Sequence, residues 1–130
     1  MPAFRIDINE QIFSRDLKAS LRKHPTLSAD LAEVFSSLET NPNSGDWIPG
    51  LGTEVRKIRI GVKKQGISPR KGYRLIYKVD RELSVVTPLL LHYKPEIELV
   101  SHKEILKVLK TISDRQAQGT TAAEATDSIQ

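Results

Sequence analysis

The 130-residue chain has no cysteine, which excludes a disulfide framework and a thiolate metal site. Histidine is scarce too. His24, His92 and His102 are scattered, no two at a ligand spacing such as H-x-x-x-H, so no structural metal is expected. The longest apolar run lies within residues 85–91, far short of the ~20 residues that a membrane span needs. The opening Met1-Pro2-Ala3-Phe4-Arg5-Ile6-Asp7 alternates too soon and carries charge too early for a signal peptide. A soluble protein of a reducing, cytoplasmic compartment is the expectation, with no membrane partner and no cofactor. The length suits one domain able to bury a single core without staples.

What is present in quantity is positive charge, unevenly placed. The net charge is +4, yet residues 55–74 alone carry +8. Arg56, Lys57, Arg59, Lys63, Lys64, Arg70, Lys71 and Arg74 stand there without one acidic residue, and the remainder has 12 bases against 16 acids. A focused basic segment on a mildly acidic protein points to a polyanionic partner, nucleic acid first. The plainer alternative is a solvated hairpin loop.

Periodicity divides the chain into elements. Ala3–Ile8 alternates with Phe4, Ile6 and Ile8 on one side and reads as a strand. Asn9 is placed to cap a helix with Ile12, Phe13, Leu17 and Leu21 as its stripe, ending before Pro25. Ser28 is the expected cap of a second helix carrying Leu31, Val34, Phe35 and Leu38, broken at Asn41-Pro42-Asn43-Ser44-Gly45. Beyond Trp47 the period changes to two. Val55–Val62 puts Ile58, Ile60 and Val62 on one face and therefore Lys57 and Arg59 on the other. Gly72–Val79 and Leu83–Tyr93 follow as strands. The last is the most apolar, which suits a central strand, and Pro88 within it predicts a bulge. Ser101-His102-Lys103-Glu104 is a capping box ahead of Ile105, Leu109 and Ile112. Residues 115–130 lack apolar anchors and read as a disordered tail after a domain spanning 1–114. The order β-α-α-β-β-β-α gives an α+β fold: a mainly antiparallel twisted sheet packed by an N-terminal helical hairpin and a C-terminal helix.

Three strings in consecutive strands carry a family likeness. Val55-Arg56-Lys57-Ile58-Arg59-Ile60, then Gly72-Tyr73-Arg74-Leu75-Ile76-Tyr77, then His92-Tyr93-Lys94 at the end of a hydrophobic strand resemble the RelE/ParE/HigB/YoeB superfamily of toxin–antitoxin toxins. The likeness spans roughly residues 4–112. It implies a RelE-like fold and a type II toxin held inactive by a cognate antitoxin. For most relatives it also implies cleavage of mRNA on the ribosome without a metal. Two departures stand out. The Gly-Lys-Ser-Gly-Gly-Tyr-Arg type of loop of HigB-like members appears as Gly66-Ile67-Ser68-Pro69-Arg70-Lys71-Gly72-Tyr73-Arg74, and Pro95 stands where many relatives carry another basic residue. Substrate positioning is expected to differ accordingly.

Metal-free RNA cleavage needs a base for the 2′-OH, cations for the phosphoryl oxygens and an acid for the 5′-oxygen. The likeness implies Arg74 as the phosphate clamp, a role its bidentate guanidinium suits. Lys57 and Arg59 match the family's paired basic positions. His92 is the acid/base candidate by position and by the titration range of imidazole. Tyr93 is a candidate for base stacking or proton transfer, although strand parity turns it away from His92. Asp46 is favoured over Glu54 as the carboxylate base that some relatives place before the first basic strand. Arg56, Lys63, Lys64, Arg70, Lys71 and Lys94 complete the expected RNA contacts, and His24 and His102 read as surface residues. Each has a plainer reading: an arginine paired with a carboxylate, solvated lysines, a structural strand histidine. At the level of the whole protein the alternatives are a ParE-like toxin that inhibits DNA gyrase by binding, and an inactive RNA-binding relative.

Overall fold

A computed structural model describes residues 3–97 and 100–112. The strands and helices are β1 (Arg5–Ile6), α1 (Glu10–Lys23), α2 (Leu27–Thr40), β2 (Asp46–Trp47), β3 (Val55–Ile60), β4 (Tyr73–Asp80) and β5 (Val85–Tyr93). A last helix, α3, covers residues 102–112. The architecture is α+β, as the periodicity indicates. The end of the domain at 114 and the tail 115–130 lie outside the described residues.

The five strands form one mixed sheet in the order β1-β5-β4-β3-β2. β1 runs parallel to β5 and the other three pairings are antiparallel. β1 is shorter than its alternating pattern, and β2, of two residues, is too short to show any period. β3 stops at Ile60, where the chain leaves for a loop closed by the Val62–Ile67 bridge. Gly66 turns that loop with φ +67°, a conformation open to glycine at little cost. At Gly72 a Cβ would lie 2.3 Å from the Ile60 carbonyl oxygen, so only glycine lets β4 start this close to β3.

α1 begins as its sequence directs, with the Asn9 side chain accepting from Gln11 N at 3.1 Å. α2 begins at Leu27 instead of after Ser28. Thr26 holds the cap position without a side-chain cap bond, and the Ser28 hydroxyl donates backwards to the Pro25 carbonyl at 3.3 Å. The bulge foreseen at Pro88 is present: Tyr77 pairs with Pro88 while Ile76 pairs with Leu90, leaving Leu89 extra in β5.

Both faces of the sheet are covered. Against α1 and α2 pack Ile60, Val62, Tyr73, Leu75, Tyr77, Val79, Val86 and Leu91, around Phe13, Leu27, Leu31 and Leu38. Against α3 pack Val55, Ile76 and Leu89, with Leu51, Ile105 and Ile112. Each such apolar side chain contributes about 1.5–3 kcal/mol of burial energy before the entropy of ordering is set against it. The Tyr77 hydroxyl donates to the Pro42 carbonyl (2.7 Å) and accepts from Gly45 N (2.9 Å), locking β4 to the turn after α2. The α3 helix covers only part of its face. What it leaves is the site.

Candidate functional site

Register places the candidate residues in a row. Arg59 of β3 is the direct cross-strand partner of Arg74 in β4, and Arg74 is the partner of His92 in β5. Cross-strand partners project to the same side, so the three share the α3 face, and Lys57 joins them two residues along from Arg59. Asp46 pairs with Lys57 and therefore lies on this face too, exposed at the sheet edge. Lys57, Arg74, Ile76 and His92 line a cavity of ≈150 Å³ whose remaining walls are Ile48, Val100, His102 and Ile105.

Arg74 is held by backbone, not by a carboxylate. The residue is 6% exposed, and its guanidinium donates to the carbonyls of Pro69 (3.1 Å), Arg70 (3.0 Å) and Tyr73 (3.4 Å). Those bonds fix the side chain and draw in the loop that carries Arg70 and Lys71. Burial first, and then the charge of Arg59, make the proton of Arg74 easier to lose than usual, although an arginine stays charged at neutral pH. Among the described residues no acidic side chain forms an ion pair with Lys57, Arg59 or Arg74. Cations assembled without counter-ions create a field suited to a polyanion.

His92 is 9% exposed. Burial, followed by the positive charges of Arg74 and Lys57, pushes its pKa down to about 4. The ring is therefore neutral near pH 7. Among the described residues its buried Nδ1 meets no hydrogen-bond partner. Behind it, the Asp16 carboxylate of α1 accepts from Leu91 N at 3.0 Å, although burial raises its pKa. This bond holds β5 one residue short of His92.

Other candidates are elsewhere. Tyr93 projects to the α1/α2 side, its ring centroid 5.0 Å from that of Tyr73 and 4.9 Å from that of His24, so it does not share the groove with His92. His24, expected at the surface, is half-buried there with Nδ1 2.7 Å from the Tyr73 hydroxyl. Arg56 also has the wrong parity. It bonds Glu54 (2.8 Å) and the Gly45 carbonyl (2.8 Å) and lies 5.3 Å from the Trp47 ring centroid, which ties it into the framework. Glu54 is engaged by Arg56 and Arg81, and the Arg81 hydrogen bond foremost holds its carboxyl below the usual range, so it is not a free base. Lys63 pairs with Glu33 at 2.7 Å. Lys64, Arg70 and Lys71 are exposed in the loop between β3 and β4, and Lys94 is half-buried just past β5, its N–H donating to the Gly72 carbonyl at 2.9 Å.

The residue that sequence reasoning missed is His102. It is exposed, as expected, yet it also lines the cavity with His92. Its signal was the capping box, which fixes it to the first turn of α3. The docking of α3 across the sheet could not be read from that. Among the described residues no three histidine, aspartate or glutamate side chains gather to hold a metal ion, and no helix is long and apolar enough to cross a membrane.

No protein-family model matches the chain, and no curated protein sequence matches it. Solved structures do. A mutant of the E. coli toxin RelE in the free state is similar over 86% of this chain and 99% of its own, with TM-score 0.55 and 22% identity. The toxin–antitoxin complex RelBE2 of Mycobacterium tuberculosis contains a chain similar over 72% of this one and 93% of its own, with TM-score 0.50 and 22% identity. The isolated E. coli RelE toxin in another crystal form gives TM-score 0.50 at 23% identity, over 70% of this chain and 84% of its own. The chain has the fold of the RelE toxins.

Proposed function

We propose, from the RelE fold and the row of side chains on its open face, that this chain is the toxin of a type II toxin–antitoxin system and cleaves mRNA. The single observation that carries the reading is the alignment of Arg59, Arg74 and His92 across three strands, with Lys57 beside them and, among the described residues, no carboxylate paired to the cations. The mechanism is attack of the 2′-OH on the adjacent phosphorus, so the substrate is RNA and not DNA. Arg74 holds the scissile phosphate. Its fixed position serves the transition state because no reorganisation is needed as charge builds. Lys57 and Arg59 bind the flanking backbone and share that charge. The neutral imidazole of His92 is in the form that accepts the 2′-OH proton. Lys64, Arg70, Lys71 and Lys94 extend the positive track along the strand, whereas the ion-paired Arg56 and Lys63 contribute little.

The substrate is translated mRNA on the ribosome, and the site of action is the cytoplasm. The partner is a cognate protein antitoxin, in keeping with the toxin–antitoxin complex named for the M. tuberculosis neighbour.

The test is induction of the chain without its antitoxin, with 5′ ends of cellular mRNA mapped for wild type, Arg74→Ala and His92→Ala. New ends inside translated frames that vanish with Arg74→Ala are the expected result. Growth arrest with intact mRNA and blocked DNA supercoiling would overturn the reading in favour of a gyrase inhibitor.

A further inference from the structure

The row on the sheet holds one imidazole, and α3 brings a second. His102 lies in the first turn of α3 and lines the same ≈150 Å³ cavity as Lys57, Arg74 and His92. Its position is set twice over. Ser101 Oγ accepts from Glu104 N at 3.2 Å, fixing the first turn, and Ile105, 1% exposed, anchors the helix in the cluster of Val55, Ile76 and Leu89. Residues three apart on a helix share a face, so burying Ile105 turns His102 toward the sheet. A Cβ built on Gly50 would stand 3.9 Å from His102 Cε1, which places the ring edge beside the Ile48–Gly50 segment at the cavity mouth.

The two rings have different surroundings. His92 is buried on the floor with Arg74 and Lys57 facing it from β4 and β3. His102 stands exposed at the rim, with Lys103 and Glu104 next to it on α3 and Asp46 on the far sheet edge opposite Lys57. A floor imidazole kept neutral by burial, and then by two cations, suits proton acceptance. A rim imidazole stands in contact with water.

We propose that His102 is a further catalytic residue, the general acid that protonates the 5′-oxygen leaving group while His92 takes the 2′-OH proton. The proposal rests on the nuclease reading above. The bond O2′–P forms as P–O5′ breaks, giving a 2′,3′-cyclic phosphate and a 5′-hydroxyl. One proton arrives on His92 and one leaves His102, and exchange with water restores both. No oxidant, metal or other co-reactant enters.

A synthetic mRNA with a single scissile linkage, carrying either the natural 5′-oxygen or a 5′-sulfur, separates acid from base, because a thiolate departs without a proton. Both substrates are offered free and on ribosomes to wild type, His102→Ala, His102→Gln and His92→Ala, with circular dichroism confirming folded protein. His102→Ala and His102→Gln are expected to slow the oxygen linkage by roughly 10²–10⁴ and to cut the sulfur linkage within a few-fold of wild type. His92→Ala is expected to be slow on both. Wild-type cutting of the oxygen linkage by the His102 variants, or equal losses on both linkages, overturns the acid role and leaves the nuclease reading standing. A wild-type protein that cuts neither linkage overturns both.

Discussion

Arg74 and His92 stand directly opposite each other in the β4–β5 ladder, both buried. The arginine spends its hydrogen bonds on the carbonyls of the loop before β4, so its charge is positioned without being neutralised. Burial, reinforced by that charge, keeps the imidazole uncharged, and among the described residues the cation has no acidic partner.

Lysine cannot replace Arg74 on this geometry, because a single ammonium does not span the Pro69 and Arg70 carbonyls and also present a planar fork. Arg74→Ala is expected to lower RNA cleavage by about 10²–10³, with Arg74→Lys recovering little of it. Both variants lose about 1–3 kcal/mol of stability as the loop carbonyls give up their donor. Single-turnover rates and urea unfolding check the two effects separately, and near-wild-type cleavage by Arg74→Lys would rule out the clamp geometry.

Stability depends on pH through His92 in a definite direction. The unfolded imidazole titrates near 6.5 and the folded one near 4, so between these values the unfolded chain binds more protons. Folding stability due to this group is intact above pH 6.5 and is lost as pH falls toward 4, by about 3 kcal/mol in full. His92→Gln removes the dependence. Unfolding free energies at pH 7.5, 5.5 and 4.5 are expected to move in favour of the glutamine variant as the pH drops. Parallel curves for the two proteins would contradict the buried neutral ring.

Adjacent residues on β3 separate stability from binding. Arg56→Ala breaks the bonds to Glu54 and the Gly45 carbonyl and is expected to cost about 1–2 kcal/mol while RNA affinity stays near wild type. Lys57→Ala is expected to change stability by less than about 0.5 kcal/mol, to weaken RNA binding and to lower the salt slope by about one. Fluorescence anisotropy across salt concentrations, set beside thermal melts, reads both. A large loss of affinity with Arg56→Ala would place the RNA on the other face.

Tyr93 supplies a control from within the same strand. Its ring belongs to the cluster with Tyr73 and His24, on the opposite side from the groove. Tyr93→Phe should therefore cut RNA within about twofold of wild type, whereas a proton-transfer role would cost roughly 10²–10⁴.

Much of this was legible in the sequence because strands have a period of two. Parity alone grouped Lys57 with Arg59 and divided His92 from Tyr93, and Pro88 announced the bulge. The same parity already turned Arg56 away, but counting charge along the chain concealed it. Lys63 shows why charge counting fails: its partner Glu33 is thirty residues distant, on α2. His102 reaches the site through the docking of α3, a packing outcome that a capping box does not encode. Arg74 was singled out as a phosphate clamp, with a surface ion pair as its plainer reading, and nothing local indicates that it would be buried and held by main-chain carbonyls.

The hydrogen bond from Leu91 N to Asp16 bears on the company the protein keeps. β1 pairs only with Val85 and Val86, so among the described residues the rest of the outer edge of β5 has no neighbouring strand. An open run of N–H and C=O groups invites another copy to add itself, the first step toward edge-to-edge polymers. Here α1 packs along that edge and its carboxylate takes the Leu91 donor. A charged side chain thus occupies the seat of a sixth strand at Leu91 and opposes pairing by another copy at that point.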